Sequence, residues 1–118
     1  MLLETDPNKV IPPTVAAALG LLKSGAKEPS VKRFVYTSSS AAVTGPATDQ
    51  ETRVDENTWN EESVKVAWSN TPDVLSVYCA SKTQAEQAVW KWVKEKENTD
   101  IVVNAGWWRF NFSGAQRY

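Results

Sequence analysis

Two side chains four residues apart, Tyr78 and Lys82, carry the clearest chemical proposition in this sequence. Four residues along an α-helix make about one turn, a rise of roughly 6 Å, so a phenol and an ammonium at that spacing project from neighbouring points on one face. A positive charge within about 4 to 6 Å favours the ionised form of an acid, which makes the pair a candidate proton donor with its own counter-charge. A second group of reactive types is Thr37-Ser38-Ser39-Ser40, a run of hydroxyls that can each donate and accept a hydrogen bond. The same features also describe plainer things: a solvated helix edge for the first, a turn or cap for the second. The elements that carry them distinguish the two readings.

The rest of the inventory narrows the chemistry. Histidine is absent from the 118 residues and there is one cysteine, Cys79. Histidine-based triads and most zinc sites are therefore excluded, no metal is expected, and no internal disulfide can form. A lone cysteine suits a reducing, cytoplasmic setting, and Cys79 reads as a small packing residue. With 13 basic and 14 acidic residues the net charge is -1, which offers nothing to nucleic acid or to an anionic membrane. No run approaches the ~20 apolar residues of a membrane span, and the N-terminal residues do not read as a signal peptide. A hydrophobic share of 42% and a charged share of 23% are those of an ordinary globular domain, and the length fits one.

Residues 1 to 9 read as an extended lead-in containing Pro7. A helix of about four turns follows, with prolines at its front, Val15, Ala18, Leu19 and Leu22 on its buried face, and Gly25 behind. Val31 to Thr37 is rich in β-branched and aromatic residues and reads as a strand that delivers the hydroxyl run. In open α/β sheets, ligands lie beyond the carboxyl ends of parallel strands, where such a run would stand. Residues 41 to 75 form a long excursion with a short helix near Asn60 to Ala67 and with Trp59 and Trp68 as apolar anchors. Connections of that length usually cover a site. Ser76 to Glu97 is the second strong helix, burying Val77, Ala80, Ala85, Ala88, Val89, Trp92 and Val93, and it presents Tyr78 and Lys82 near its start. Asp100 to Ala105 reads as a second buried strand, so the order is α/β, with a parallel pair expected.

Three stretches in this order resemble the extended branch of the short-chain dehydrogenase/reductase superfamily, the NAD-dependent epimerase/dehydratase family. They are Phe34-Val35-Tyr36-Thr37-Ser38-Ser39, then Asp55-Glu56-Asn57-Thr58-Trp59, then Tyr78-Cys79-Ala80-Ser81-Lys82-Thr83-Gln84-Ala85-Glu86-Gln87-Ala88-Val89-Trp90-Lys91. Within that branch they are similar to the dihydroflavonol-reductase-like group and its fungal aldehyde and ketone reductases. The resemblance implies an oxidoreductase that transfers hydride from NADP(H) or NAD(H), NADP favoured, to a small aldehyde or ketone. It implies that Tyr78 is the general acid and that Lys82 holds the nicotinamide ribose and eases ionisation of the phenol. It further implies that Ser39 binds the carbonyl oxygen and that Ser38, Tyr78 and Lys82 contact the cofactor, with Trp59 and Trp68 helping to wall an apolar substrate pocket.

The five glycines, Gly20, Gly25, Gly45, Gly106 and Gly114, do not make the family's Gly-x-x-Gly-x-x-Gly turn. The expected fold is accordingly a partial Rossmann-type doubly wound parallel sheet lacking its N-terminal dinucleotide-binding strands. Residues 1–105 would be the central part of the reductase domain and 106–118 a divergent tail, in which Trp107-Trp108-Arg109 replaces the family's turn. A sheet missing its neighbours leaves open edges, so self-association is expected, and a catalytically inactive interaction or structural piece is the alternative reading.

Overall fold

Asp6 starts the first helix earlier than the proline pattern suggests. Its carboxylate accepts the Asn8 amide at 3.0 Å, and Pro7 follows in the first helical position, where a missing N–H costs nothing. In the computed structural model, which describes residues 4–45, 53–96 and 100–106, α1 runs Pro7–Ala26 and Pro12 and Pro13 lie inside it. The predicted extended lead-in therefore ends at Asp6, and the two later prolines are not the helix front. Neither can donate to the carbonyl four residues earlier, but those carbonyls belong to the exposed Asn8 and Lys9, where water can serve instead.

The chain then forms β1 (Arg33–Thr37), a single 3₁₀ turn (Ser40–Ala42), α2 (Glu61–Ala67), α3 (Val74–Glu95) and β2 (Val102–Gly106). β1 and β2 pair in parallel with Phe34 opposite Val103 and Tyr36 opposite Ala105. Parallel strands need a long crossover, and the segment carrying α2 and α3 supplies it. Each predicted element is present, with its ends moved by a few residues: β1 starts at Arg33 and not Val31, α3 at Val74 and not Ser76.

Strand alternation sorts the sheet's two faces. Phe34, Tyr36 and Val103 pack with the helices and Ala105 is buried, whereas Val35 is 66% exposed and Val102 48% exposed. Among the described residues the helices thus cover one face of a small parallel sheet. The main core joins Ala18 and Leu22 of α1 to Ala85, Val89 and Trp92 of α3. A second cluster of Ile11, Ala67, Val77 and Ala80 fastens α2 across both long helices. Alanines at these contacts let the helix axes approach closely. Of the predicted α1 face, Ala18 and Leu22 are buried and Val15 and Leu19 pack at its margin; Ile11, not foreseen, is buried as well. Among the described residues no helix is long and apolar enough to cross a membrane. The predicted tail lies outside the described residues beyond Gly106.

Leu22 is fully buried and its neighbour Leu21 is 68% exposed. Leu22→Ala is expected to lower unfolding free energy by about 2–5 kcal/mol and Leu21→Ala by no more than about 0.5 kcal/mol, measured by urea denaturation.

Candidate functional site

α3 is the platform. Asp73 caps it: the Ser76 amide donates to its carboxylate at 2.9 Å and the Ser76 hydroxyl at 2.7 Å, and these bonds hold the Asp73 carboxyl below its usual range. Tyr78 follows in the first turns of the helix, 45% exposed, with its ring turned out of the core. The Lys82 ammonium lies 5.8 Å from the centre of that ring, within reach of a cation–π contact. The spacing argument and the structure agree on this pair. A phenol and an ammonium share one open face at the N-terminal end of a helix whose opposite flank is core.

The hydroxyl run leaves β1 and is pinned at several points. The Ser38 amide donates to the Gly106 carbonyl at 2.8 Å, which ties it to the end of β2. The Ser38 hydroxyl donates to the Glu86 carboxylate, so its proton is committed to α3 and only its lone pairs and backbone remain for a ligand. Ser39 caps the 3₁₀ turn, its hydroxyl accepting the Ala41 amide at 3.2 Å. That contact uses the acceptor side of the Ser39 hydroxyl and leaves its proton able to donate. The 3₁₀ turn packs on α3, where the buried Thr83 hydroxyl bonds the Ala42 carbonyl at 3.3 Å and the Cys79 carbonyl at 2.9 Å. Asn60 closes the other side, its amide group donating to the Ala41 carbonyl at 2.9 Å and its backbone N–H to the Ala42 carbonyl at 3.0 Å. The loop with Ser39 is therefore docked on the same helix as Tyr78 and Lys82, one residue along from Lys82 at Thr83.

Two residues of this arrangement, Thr83 and Glu86, were not foreseen. Glu86 is 1% exposed, accepts the Ser38 hydroxyl on one carboxylate oxygen and the Trp90 indole N–H, at 3.3 Å, on the other. A signal for it exists: Cys79, Thr83, Glu86 and Trp90 recur at four, three and four, a helical stripe of polarisable and polar residues that a search for apolar periodicity passes over. Cys79 itself is buried, and burial pushes its thiol up, as befits a packing residue. Trp68 departs from its expected place. It is 45% exposed, donates its indole N–H to Gln84 at 3.0 Å and lines a groove along α1 with Val15, Leu19 and Lys23. That groove does not include Ser39, Tyr78 or Lys82, because Gln84 leaves α3 on a different side from the Tyr78 pair.

Tyr36, on the helix-facing side of β1, is half-buried; burial, and secondly the charge of Glu86, push its phenol above the usual 10.0. The folded protein thus keeps this proton to higher pH than the unfolded chain does. Stability from Tyr36 is complete below about pH 10 and is lost as the pH climbs through the raised value. Denaturation series from pH 9 upward, taken at roughly half-unit steps, are expected to show a steeper alkaline loss for the wild type than for Tyr36→Phe.

No known family profile matches the chain. It is 44% identical over 104 residues to the NAD-dependent epimerase/dehydratase terH of Aspergillus terreus, an alignment that takes in 85% of this chain and 30% of that protein. It is 40% identical over 95 residues to aldehyde reductase 2 of Sporidiobolus salmonicolor, covering 76% and 28% respectively. In structure it superposes on Gre2 of Candida albicans, solved in complex with NADPH, with a TM-score of 0.74 and 27% identity over 89% of this chain and 31% of that one. The chain spans about 30% of the length of these relatives.

Proposed function

Given that this chain is homologous to part of the extended short-chain reductases, the NAD-dependent epimerase/dehydratase and aldehyde-reductase line with its Rossmann-type fold, we propose that it serves the reduction of a small aldehyde or ketone by NADPH or NADH. The observation that carries the reading is the pairing of Tyr78 with Lys82 on an open helix face beside the docked Ser39 loop. The phenol and the ammonium suit the ribose hydroxyls and carboxamide end of a nicotinamide nucleotide, with NADP favoured by the kinship. The pyrophosphate end finds no glycine-rich turn among the five glycines. When bound, the reduced nicotinamide supplies the hydride.

The side chains divide the remaining work. Ser39 donates its proton as a hydrogen bond to the substrate carbonyl oxygen and orients it. Tyr78 gives its phenolic proton to that oxygen as the carbonyl carbon accepts hydride, so an alcohol forms and a phenolate remains. The Lys82 ammonium steadies that negative charge and holds the ribose, and the exposure of Tyr78 lets solvent return the proton. Ser38 fixes the loop from behind and offers lone pairs to the cofactor. A second reading draws on the uncovered sheet face with Val35 and Val102: the chain acts as an interaction piece that associates through this surface and its strand edges.

Titration with NADPH and NADH, followed by tryptophan-to-nicotinamide energy transfer, separates the readings. Saturable binding that weakens in Lys82→Ala and persists in Tyr78→Phe is expected, with turnover of aldehydes reduced about 10²- to 10⁴-fold in Tyr78→Phe. A folded chain that binds neither cofactor at millimolar concentration overturns the reductase reading in favour of the interaction piece.

A further inference from the structure

A fully buried glutamate is an expensive thing to keep on a helix, because a carboxylate withdrawn from water must be compensated by hydrogen bonds. The hydrogen bonds Glu86 accepts include those from the Ser38 hydroxyl of the β1 loop and from the Trp90 indole, one turn further along α3. Of these, the Trp90 contact is local to α3 and orients the carboxylate; the Ser38 contact crosses 48 residues of sequence. Ser38 directly precedes Ser39 and its own amide is fixed to Gly106 at the end of β2. Glu86 stands one helical turn beyond Lys82 and two beyond Tyr78 on the same rigid element.

We propose that Glu86 is a positioning residue that clamps the Ser38–Ser39 loop to α3 and thereby sets the placement of the Ser39 hydroxyl relative to Tyr78 and Lys82. The clamp acts with Thr83, which holds the far end of the same loop through the Ala42 carbonyl, so residues 38 to 42 are tied to one helix at Ser38 and at Ala42. The arrangement has a reason in physical terms. Loops on a sheet's end are the most mobile part of such a site, and a hydroxyl serves as an oriented donor only if its backbone is held to a fraction of an ångström. A charged acceptor gives a stronger bond than a neutral one, and a dry setting keeps water from replacing it. Tyr36, in β1 just ahead of the loop, has its phenol raised first by burial and secondly by the charge of Glu86.

The catalytic meaning of this clamp rests on the reductase reading, but its existence does not, and hydrogen exchange measured on the intact chain tests it directly. In Glu86→Ala the amides of Ala41, Ala42 and Val43 are expected to exchange about tenfold faster, the loss of one hydrogen bond to a charged group, while amides in the middle of α1 and α3 change less. Glu86→Gln keeps an acceptor for Ser38 and is expected to restore most of the protection. Should Glu86→Ala fail to fold, Ser38→Ala opens the same contact from the loop side and is expected to give the same local acceleration. Unchanged exchange at these three amides in a folded variant overturns the proposal, as does acceleration spread equally over α1 and α3. Where the wild type turns over an aldehyde, Glu86→Ala lowers kcat by a larger factor than it weakens NADPH binding through Ser38, and Glu86→Gln recovers most of kcat. An equal loss of both overturns the positioning role. A wild type that binds no cofactor sinks the reductase reading alone, since the exchange result still decides the clamp.

Discussion

The burial of α3 between a helix and a loop is the constraint from which the rest of this structure follows. Along one side Ala85, Val89 and Trp92 meet Ala18 and Leu22 of α1; at its N-terminal end Val77 and Ala80 meet Ile11 and Ala67. Along another side Thr83 and Glu86 take polar partners from the 3₁₀ turn and the hydroxyl run. What is left to solvent is a strip containing Tyr78 and Lys82. The open face of the pair is thus a remainder, defined by everything else the helix has to contact. A helix gripped on several flanks is also a stiff one, and stiffness in the element that carries reactive groups is what positions them.

The polar and apolar contacts of α3 do different jobs. Hydrophobic burial against α1 is large, undirected and tolerant of small displacements, and it holds α3 on the sheet. Hydrogen bonds from Ser38, Thr83 and Asn60 are fewer and individually modest, but each fixes a distance and a direction. The result is that the loop after β1, which the sheet alone would leave to wander, is registered against the helix. Under the proposed clamp, this division accounts for a glutamate at a position where alanine would pack at lower desolvation cost. The uncovered face of the two strands shows the converse case, with Val35 and Val102 exposed where no described element supplies a partner.

Similarity to proteins about three times as long, an NAD-dependent epimerase/dehydratase and an aldehyde reductase among them, puts the arrangement in context. The chain corresponds to a part of such a protein in which the strand, its hydroxyl loop, the long crossover and the Tyr-Lys helix form one mutually supporting unit.

Much of this was legible in the sequence by itself. Periodicity marked both long helices, β-branched runs marked both strands, and their order implied a parallel pair; spacing alone put Tyr78 beside Lys82, because an α-helix converts four residues into one turn whatever surrounds it. The start of α1 escaped, since Pro12 and Pro13 drew attention from the Asp6 cap and Pro7, and proline reports where a helix can start without saying where it does. Glu86 and Thr83 escaped for a deeper reason. Their burial depends on which loop lies over them, and that loop is 40 residues or more away in the chain. Trp68 was misplaced for the same cause: only the path of the chain decides that its ring borders a groove along α1 and bonds Gln84. Local pattern therefore determined the elements and the reactive pair, while tertiary packing decided the partners of polar side chains, because a hydrogen bond between distant residues leaves no period in the sequence.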